Sequence, residues 1–567
     1  MKKLTFGTPE NMVPTKFCKG LNYIETDINY DISAFKFKIT NRGCVLEFPL
    51  KEDEQIYGFG LQLKDFNHKN QKLQLRSNSD PCAHTGDSHA PVPFFVSTKG
   101  YGIYFDTARY MEAHCGFGKN KNREANPNNT IIVTVDDLYR KCGLREDTVM
   151  SVEIPVAKGI DIYIFEGETI LDVVSQYNLF SGGGCEVPEW GLGVLYRVYA
   201  RYTADQVMEV AKSFREKDIP CDIIGLEPGW QTNTYSCSYM WDEERYPNYK
   251  EMIEYLKVND FHINLWEHAF VNAASPIYKE MHDYSGDYEV WQGLVPDFAT
   301  KEARDICANH HKKHIVDLGV DGFKLDECDN SDFGHTWSFP NCTEFPSGLD
   351  GELYHQLFGT LYMQTMMQAL GEQKTFSQVR NAGALAASYP FVLYSDLYDH
   401  KDFIRGIVNS GFSGILWTAE LRDAKSKKEL LRRLQVTVFS VQCLINAWYC
   451  EDVPWKEFDC EDEVRELLKV RKSLVPMLKK AFDAYHTTGK PPVRALVADY
   501  TYDAETYQID DQYVFCDNLI VAPLTAESDT RKVYLPKGKW NDYWTKESVQ
   551  SGWFEVTMDK IPVFEKV

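Results

Sequence analysis

Residues 312–330 have the sequence KKHIVDLGVDGFKLDECDN, in which an amphipathic run ends at Gly319 and a short apolar strand follows at 322–325. The strand delivers Asp326 at its carboxyl end. An acidic residue at the tip of a buried strand that follows a helix is typical of the place where (β/α) barrels carry catalytic groups. The stretch therefore predicts a barrel with a functional site at the carboxyl ends of its strands.

A second acidic strand tip lies at Asp396, directly after the apolar run from Tyr389 to Ser395. Two strand-tip carboxyl groups are what retaining glycoside hydrolysis requires, one as the nucleophile and one as the general acid/base. The acid has to stay protonated at neutral pH, so we expect it in a partly desolvated, carboxylate-rich setting. The pattern alone does not choose between Asp396 and its neighbour Asp399.

The size and charge of the chain limit its organisation and its partners. Its 567 residues predict several domains, because a single core rarely grows past roughly 250–300 residues. A net charge of −22 argues against nucleic acids and anionic membranes, since both require clustered Lys and Arg. We expect no signal peptide and no transmembrane helix. The 15 scattered cysteines, an odd number, favour reduced thiols in a cytoplasmic protein.

The periodicity of the chain predicts an α/β fold, a (β/α)8 TIM barrel flanked by two β-sandwich domains. Residues 1–180 read as strands, including one at 130–133 after a turn at 126–129; residues 181–485 alternate strands and helices; residues 486–567 return to strands, with a hairpin turn at 537–539. We expect helices at 204–217, 250–258 and 463–482. The expected barrel strands are 191–196, 222–226, 262–266, 322–325, 375–379, 391–394, 414–417 and 444–448.

Polar and aromatic residues recur where these strands end. Each alone is compatible with an ordinary surface residue, but together they fit a pocket that hydrogen-bonds several hydroxyl groups. The residues at the strand ends are Glu227, Trp266, Glu267, His268, Arg380, Trp417 and Glu420.

Metal-binding patterns are weak in this sequence. Asp326, Glu327 and Asp329 lie close together, but a strand sends alternate residues to opposite faces, and oxygen-rich metal loops also carry spaced Asn or Gly. His310 and His314 have the spacing of a helical metal pair, yet they lie among lysines without a following acid, which favours a solvated helix face. We therefore expect neither a metal nor a cofactor.

Further stretches make nearly the whole chain resemble glycoside hydrolase family 31, the α-glucosidase and α-xylosidase family. The resemblance implies an amino-terminal β-sandwich, a catalytic barrel and a carboxyl-terminal β-sandwich, with the family's distal β-domain missing. The stretches are YGFG at 57–60, PFF at 93–95, YGIYFDT at 101–107, PEWGLG at 188–193, IPCD at 219–222, YLPKGKW at 534–540 and YW at 543–544.

Position by position, the resemblance also assigns roles. Asp326 matches the family nucleophile, and Asp396 matches the acid/base, which follows a proline at the family's usual spacing. Arg380 matches an arginine that contacts the bound sugar. Glu227 stands where α-glucosidases usually have an Asp that holds distal hydroxyls, and Trp230 resembles a neighbouring family Trp.

Several pocket positions depart from the α-glucosidase pattern. Asp329 replaces a Glu, Lys324 replaces a Trp as in the α-xylosidase-like branch, and Leu444 and Asn446 replace an Arg and a His. The stretch 420–423, ELRD, replaces an Asp-Ile-Gly-Gly-Phe run. A buried polar group left unpaired costs about 1–3 kcal/mol, so a pocket rebuilt at several places favours a different sugar epimer or substituent.

We therefore expect a cytoplasmic retaining exo-α-glycosidase that acts on small α-glycosides or oligosaccharides. The sugar is left open among α-glucoside, α-galactoside, α-xyloside and a modified glucoside, and transfer to a sugar hydroxyl remains an alternative to hydrolysis. A non-catalytic sugar-binding protein is the alternative from another class, against which the presence of both Asp326 and Asp396 argues. The oligomeric state is not predicted.

Overall fold

The computed structural model describes residues 1–79, 81, 83–118, 148–331 and 337–567. The predicted turn at 126–129 and strand at 130–133 lie outside these residues. Within the described ranges, every helix is too short or too polar to cross a membrane.

The described strands of the amino-terminal part form two antiparallel five-stranded sheets. Its strands are β1 (Lys2–Thr8), β2 (Lys36–Ile39), β3 (Gly43–Leu50), β4 (Ile56–Gly60), β5 (Gln71–Leu75), β6 (Pro91–Ser97), β7 (Tyr101–Phe105), β8 (Met111–Gly118), β9 (Thr148–Pro155) and β10 (Lys158–Glu166). The sheet orders are β1-β10-β7-β6-β4 and β2-β3-β9-β8-β5. Phe48, Phe95 and Ile103 belong to the core between them, because alternate residues of each strand face the same side.

The central part is the predicted parallel barrel. Its strands and one hairpin are β11 (Val194–Arg197), β12 (Ile223–Leu226), β13 (His262–His268), β14 (Ser285–Val290), β15 (Gly293–Pro296), β16 (Gly322–Asp326), β17 (Ser377–Val379), β18 (Phe391–Leu393), β19 (Glu420–Leu421) and β20 (Cys443–Asn446). The eight-stranded sheet has the order β18-β17-β16-β13-β12-β11-β20-β19, and β14 pairs with β15. The fold class predicted from sequence is confirmed.

The seventh barrel strand differs from its prediction at 414–417. The chain there contacts β18 through the Leu393–Trp417 bridge, and only Glu420–Leu421 pair as a strand, with β20. The segment 414–421 thus pairs first with β18 and then with β20, and these short contacts close the barrel. The first strand also begins later than predicted, because Glu189–Leu192 form a 3-10 turn.

Helices follow the barrel strands as expected, except between β17 and β18, where residues 380–390 form only turns and irregular backbone. The helix Ala204–Glu216 begins at a capping box of Thr203 and Gln206, in which two orphan backbone donors are satisfied reciprocally. The predicted last helix is longer than expected, at Glu461–Thr488. The other α-helices among the described residues are Pro14–Phe17, Ile170–Phe180, Tyr249–Val258, Tyr278–Met281, Lys301–His314, Gly351–Leu370, His400–Ser410, Lys427–Val438 and Leu496–Asp499.

The carboxyl-terminal part is again β-rich. Its strands are β21 (Val493–Ala495), β22 (Tyr513–Phe515), β23 (Leu519–Val521), β24 (Thr530–Leu535), β25 (Trp540–Asp542), β26 (Ser548–Val549), β27 (Gly552–Thr557) and β28 (Val563–Lys566). They form a six-stranded sheet, β21-β22-β23-β28-β25-β26, and a separate pair, β24-β27. The hairpin predicted at 537–539 is wrong, because β24 and β25 belong to different sheets and the turn crosses between them.

Candidate active site

Asp326 ends strand β16, and two donors fix its carboxylate. The Trp266 indole Nε1 donates to Oδ2 at 2.7 Å, and the backbone N–H of Glu327 donates to Oδ1 at 2.9 Å. The side chain is 8% exposed. The group is therefore oriented and still reachable from the barrel mouth.

Arg380, just after β17, brings three carboxylates together. Its Nη1 lies 3.6 Å from Asp326 Oδ1 and 2.6 Å from Asp396 Oδ2. Its Nε donates to Asp329 Oδ2 at 3.2 Å. Because one nitrogen contacts both Asp326 and Asp396, their two oxygens are no further apart than the sum of these two distances.

Asp396 is the exposed member of this group, with a side chain that is 60% accessible. Desolvation by the surrounding walls raises its pKa, but the positive charges of Arg380, Arg422 and Lys324 outweigh that effect and hold the pKa of Asp396 well below its usual range. The expected neighbouring carboxylates are present, but the surrounding cations favour the ionised form of Asp396 rather than the expected protonated form. The rival Asp399 caps the helix His400–Ser410 and accepts from the N–H of Asp402.

The segment that carries Asp396 is held by Arg422. The guanidinium donates to the backbone carbonyls of Asp396, at 2.8 Å, and Ser395. It also pairs with Glu420, which accepts from Asn446 Nδ2 at 3.2 Å. Glu420 and Asn446, both assigned to the pocket from sequence, are thus buried parts of one network that ends at Asp396.

The pocket floor is an ion-paired trio of Arg197, Glu227 and Lys324. Arg197 ends β11 and lies across the barrel, where Gly225 leaves it room; a Cβ on Gly225 would lie 2.9 Å from Arg197 Cγ. The guanidinium pairs with Glu227 and donates to Gln378 at 2.9 Å. Lys324 Nζ lies 3.2 Å from the same carboxylate. One buried carboxylate therefore serves two cations.

Replacing Glu227 by alanine is expected to destabilise the protein, because Arg197 and Lys324 share its charge inside the barrel. Breaking a buried pair at one partner costs about 3–5 kcal/mol, so calorimetry should show a lower thermal unfolding midpoint. The exposed Glu209, replaced in the same way, is the matched control and should unfold like the wild type. An unchanged midpoint for the Glu227 variant would show that the trio adds no net stability.

Strand alternation decides which residues of β13 face the pocket. Trp266 and His268 share the face of Asn264, which accepts from Arg197 inside the barrel. Glu267 lies between them and faces the surrounding helices, since successive side chains of a strand point to opposite faces. The structure therefore places Trp266 and His268 in the pocket wall and Glu267 behind it, in contrast to the prediction for Glu267.

Behind the wall, Glu267 is fully buried and both of its oxygens are engaged. The Tyr362 hydroxyl donates at 2.6 Å, and His311 Nε2 lies 3.1 Å away. Burial, the largest single effect, lowers the pKa of His311, but Glu267 and Cys307 together outweigh it through their charges and hydrogen bonds and raise that pKa well above its ordinary value. His310 beside it is half-buried, so the solvated helix face predicted for His310 and His314 is wrong for His310, whereas His314 is exposed. The described residues contain no cluster of three or more side chains suited to a metal.

Two tryptophans predicted to contact the sugar support the barrel wall instead. Trp230 is fully buried, and its Nε1 donates to the backbone carbonyl of Trp266 at 2.6 Å. Trp417 is also buried; its Nε1 donates to the carbonyl of Phe403 at 3.2 Å, and the two rings lie 5.5 Å apart. Both side chains pack within the protein rather than presenting a face to the pocket.

His89 comes from the amino-terminal domain and was not found from sequence. It is fully buried, with Nδ1 3.0 Å from Asp329 Oδ2 and Nε2 2.6 Å from Ser395 Oγ. It therefore connects the carboxylate beside Arg380 to the residue before Asp396. No sequence signal identified it, because the contact joins residues more than two hundred positions apart in different domains.

The buried polar atoms at the strand ends include four pocket atoms that have no hydrogen-bond partner among the described residues. Buried polar groups are normally satisfied, so these atoms mark where a polar ligand fits. Gln378 and Tyr394 lie inside predicted strands, two residues before Arg380 and Asp396, so alternation from those two residues would have indicated their inward direction. The atoms are Gln378 Nε2, Tyr394 Oη, His268 Nε2 and Asn446 Oδ1.

A parallel barrel with carboxylates and unsatisfied polar groups at the carboxyl ends of its strands has the arrangement in which barrel enzymes carry their active sites. Three family models match the chain: the glycosyl hydrolase 31 N-terminal galactose mutarotase-like domain over 33–113, the family 31 TIM-barrel domain over 185–481 and the family 31 C-terminal domain over 489–567. The chain belongs to glycosyl hydrolase family 31 and is a glycoside hydrolase.

Individual relatives agree with this placement. The chain is 27% identical to alpha-glucosidase 2 of Bacillus thermoamyloliquefaciens, covering 93% of this chain and 68% of that protein. It is 24% identical to an alpha-xylosidase of Emericella nidulans, covering 87% and 62%. A GH31 dextranase structure from Flavobacterium johnsoniae, complexed with glucose, has a similar fold, with a TM-score of 0.80, 22% identity and coverage of 95% and 68%.

Proposed function

We propose that the protein is a retaining exo-α-glycosidase that removes the terminal, non-reducing α-linked sugar of small glycosides through a covalent glycosyl-enzyme intermediate. Asp326 is the nucleophile and Asp396 the general acid/base. The observation that carries this assignment is the Arg380 Nη1 atom, which contacts both carboxylates.

The spacing of these carboxylates supports the retaining course. Inverting glycosidases keep their two carboxyl groups roughly 6.5–9.5 Å apart to admit a water, whereas retaining ones have about 5–5.5 Å. The contacts to one Arg380 nitrogen keep the two oxygens that they join, Asp326 Oδ1 and Asp396 Oδ2, closer together than the inverting range. Asp326 attacks the anomeric carbon and Asp396 protonates the leaving oxygen; in the second step Asp396 takes a proton from the attacking water.

Arg380 also suits the change of role that Asp396 undergoes. Once Asp326 is esterified it carries no charge, so Arg380 is left with Asp329 and Asp396 as its ionic partners. Its attraction to Asp396 then favours the ionised form, which is the form that acts as a base. The first step needs Asp396 in its protonated form. A sugar hydroxyl that accepts a hydrogen bond from Arg380 in place of Asp396 would favour that protonated form.

The pocket supports a neutral, hydroxyl-rich sugar. Arg380, Lys324 and Arg422 each contact at least one carboxylate, so the cations of the site are already compensated. The sugar itself is left open among glucose, galactose, xylose and a modified glucose, because both an alpha-glucosidase and an alpha-xylosidase are relatives of similar identity. Transfer is the second candidate activity, since an isomaltosyltransferase of Sporosarcina globispora is also similar, at 22% identity.

A hydrolysis screen tests the function directly. The purified protein is expected to release nitrophenol from one of the nitrophenyl α-glycosides of glucose, galactose, xylose and N-acetylgalactosamine, and from none of the β-anomers, because the pocket admits one sugar and one anomer. Initial rates at several concentrations give kcat/KM, and proton NMR of the first product gives its anomeric form. A first product of inverted configuration would contradict the retaining assignment.

The screen also separates the proposal from the non-catalytic alternative. Binding of a free sugar in calorimetry without turnover of any α-glycoside would indicate a sugar-binding protein instead.

The proposed cytoplasmic location is supported by the 13 described cysteines, all of which are free thiols, as is typical of a reducing compartment.

A further inference from the structure

His89 contacts the active site from outside the barrel. It precedes strand β6 by two residues, and its side chain is fully buried. Asn381, directly after Arg380, donates from Nδ2 to the backbone carbonyl of His89 at 2.7 Å and to Ser77 Oγ at 2.7 Å. The loop that carries His89 is therefore fastened to the carboxyl end of strand β17, which holds the imidazole in one place.

The hydrogen bonds of His89 have one consistent direction. Asp329 is ion-paired with Arg380, and a carboxylate only accepts hydrogen bonds, so His89 Nδ1, 3.0 Å from Asp329 Oδ2, carries the ring proton. Nε2 of the neutral ring then accepts from the Ser395 hydroxyl at 2.6 Å. The Ser395 oxygen in turn accepts from the backbone N–H of Leu397 at 3.0 Å. Each polar hydrogen of this chain of contacts therefore has an acceptor.

One end of the chain of contacts bears on the backbone that carries Asp396. Strand β18 ends at Leu393, so the position of Asp396 depends on side-chain contacts rather than on the sheet. Arg422 holds the backbone carbonyls of Ser395 and Asp396, and His89 holds the Ser395 hydroxyl. A side chain that is 60% accessible has few walls of its own, so the direction of Asp396 follows that backbone.

The other end of the chain of contacts bears on Arg380. Asp329 accepts from both His89 Nδ1 and Arg380 Nε, so His89 fixes the carboxylate that orients the guanidinium. Nη1 of this guanidinium contacts Asp326 and Asp396. His89 thus reaches Asp396 by two routes, and displacement of a positioned group by about 1 Å can lower a rate about 10²-fold.

We propose that His89 is a positioning residue for proton transfer, which acts through Ser395 and Asp329 to align Asp396 with the oxygen of the leaving group. The inference rests on the proposed function. It predicts that His89 matters most for substrates whose leaving group needs a proton, because a misaligned Asp396 delivers that proton poorly.

The same three side chains occur in the order Ser-His-Asp in serine hydrolases, but their setting here is different. Ser395 is almost fully buried, and its oxygen already accepts from the N–H of Leu397. The hydroxyl therefore supports the backbone before Asp396 and is not presented to a substrate as a nucleophile.

The test measures how strongly the rate depends on the leaving group. Wild type, His89→Leu and His89→Gln are assayed on the dinitrophenyl, nitrophenyl, phenyl and methyl α-glycosides of the sugar that the hydrolysis screen identifies. In His89→Leu, which lacks both ring nitrogens, kcat/KM should fall about 10²-fold for the phenyl and methyl glycosides and less than about fivefold for the dinitrophenyl glycoside. His89→Gln offers an amide N–H and a carbonyl oxygen, and it should recover at least about tenfold of the loss.

Ser395→Ala tests the same chain of contacts with a smaller change. It should give the same loss confined to poor leaving groups, because it breaks the link between His89 and the backbone before Asp396. The double variant His89→Leu/Ser395→Ala should be within about twofold of the worse single variant, since residues that act through one link are not additive. Losses that multiply, or a Ser395→Ala variant equal to wild type, would overturn the proposed link.

His355 is the matched control, a second fully buried histidine. It lies on the helix Gly351–Leu370, and its Nε2 donates to the backbone carbonyl of Phe339 at 2.9 Å. His355→Leu should leave the ratio of the phenyl to the dinitrophenyl rate unchanged, and circular dichroism of all variants checks the fold.

Two results separate this inference from the proposed function. An equal loss on all leaving groups in His89→Leu, or a His89→Gln variant as impaired as His89→Leu, would overturn the positioning role of His89 and leave the glycosidase assignment in place. A wild type without turnover of any α-glycoside would overturn the proposed function, and this inference with it.

Discussion

Replacing Asp326 by alanine is expected to lower kcat/KM by about 10⁵-fold, because no other group is held at the anomeric carbon to form the intermediate, and loss of a catalytic nucleophile has effects of this size. The fold should persist. Arg380 keeps Asp329 and Asp396 as ionic partners, so no buried charge is left alone. Steady-state kinetics on the best nitrophenyl α-glycoside, with circular dichroism of the same samples, measures both effects.

The assignment is sharpened by trapping the intermediate. A 5-fluoro-α-glycosyl fluoride should leave the wild type labelled on the peptide that contains Asp326, as seen by mass spectrometry, and should leave the alanine variant unlabelled. Asp317, which lies in the same segment but on the surface, is the matched control and should keep full activity as alanine. Labelling of another carboxylate, or hydrolysis retained without Asp326, would rule out the nucleophile assignment.

The strand-end pattern predicts the barrel with Asp326 and Asp396 at the ends of two of its strands. Which further residues it assigns to the pocket depends on where each strand is predicted to end. The third strand was expected to end at Trp266, so Glu267 and His268 were both treated as mouth residues. The strand in fact continues to His268, and alternation then sends Glu267 to the outside. The first strand also extends beyond its predicted end at Tyr196, and its last residue, Arg197, which fills the pocket floor, is absent from the predicted site.

Contacts between distant parts of the chain were out of reach of the sequence. His89 reaches Asp329 and Ser395 from another domain, and no local pattern encodes such a contact. The departures at Glu227 and Lys324 were recognised separately, yet their side chains form one ion pair. A longer carboxylate and a cation in place of an aromatic ring are thus two parts of the same rebuilt floor, which neither position reveals alone.

Replacing Asp396 by alanine is expected to lower kcat about 10³-fold for a disaccharide, whose poor leaving group needs a proton, since positioned acids contribute roughly 10²–10⁴-fold. The loss should be smaller for a dinitrophenyl glycoside, which leaves without protonation. Azide should then restore turnover of that substrate and give the α-glycosyl azide, because azide attacks the intermediate without a general base. Product identity by mass spectrometry and NMR checks this outcome.

Asp399 supplies the decisive comparison, because it is the other carboxylate of the same segment and has a different task. As the N-cap of the helix His400–Ser410, it should on replacement by alanine cost about 1 kcal/mol of stability, change the rates of both substrates alike and gain nothing from azide. Azide rescue confined to the Asp399 variant would transfer the acid/base role to that residue. Rescue confined to the Asp396 variant would assign the acid/base role to Asp396, the carboxylate that shares Arg380 with Asp326. That result would also support the carboxylate geometry on which the retaining mechanism rests.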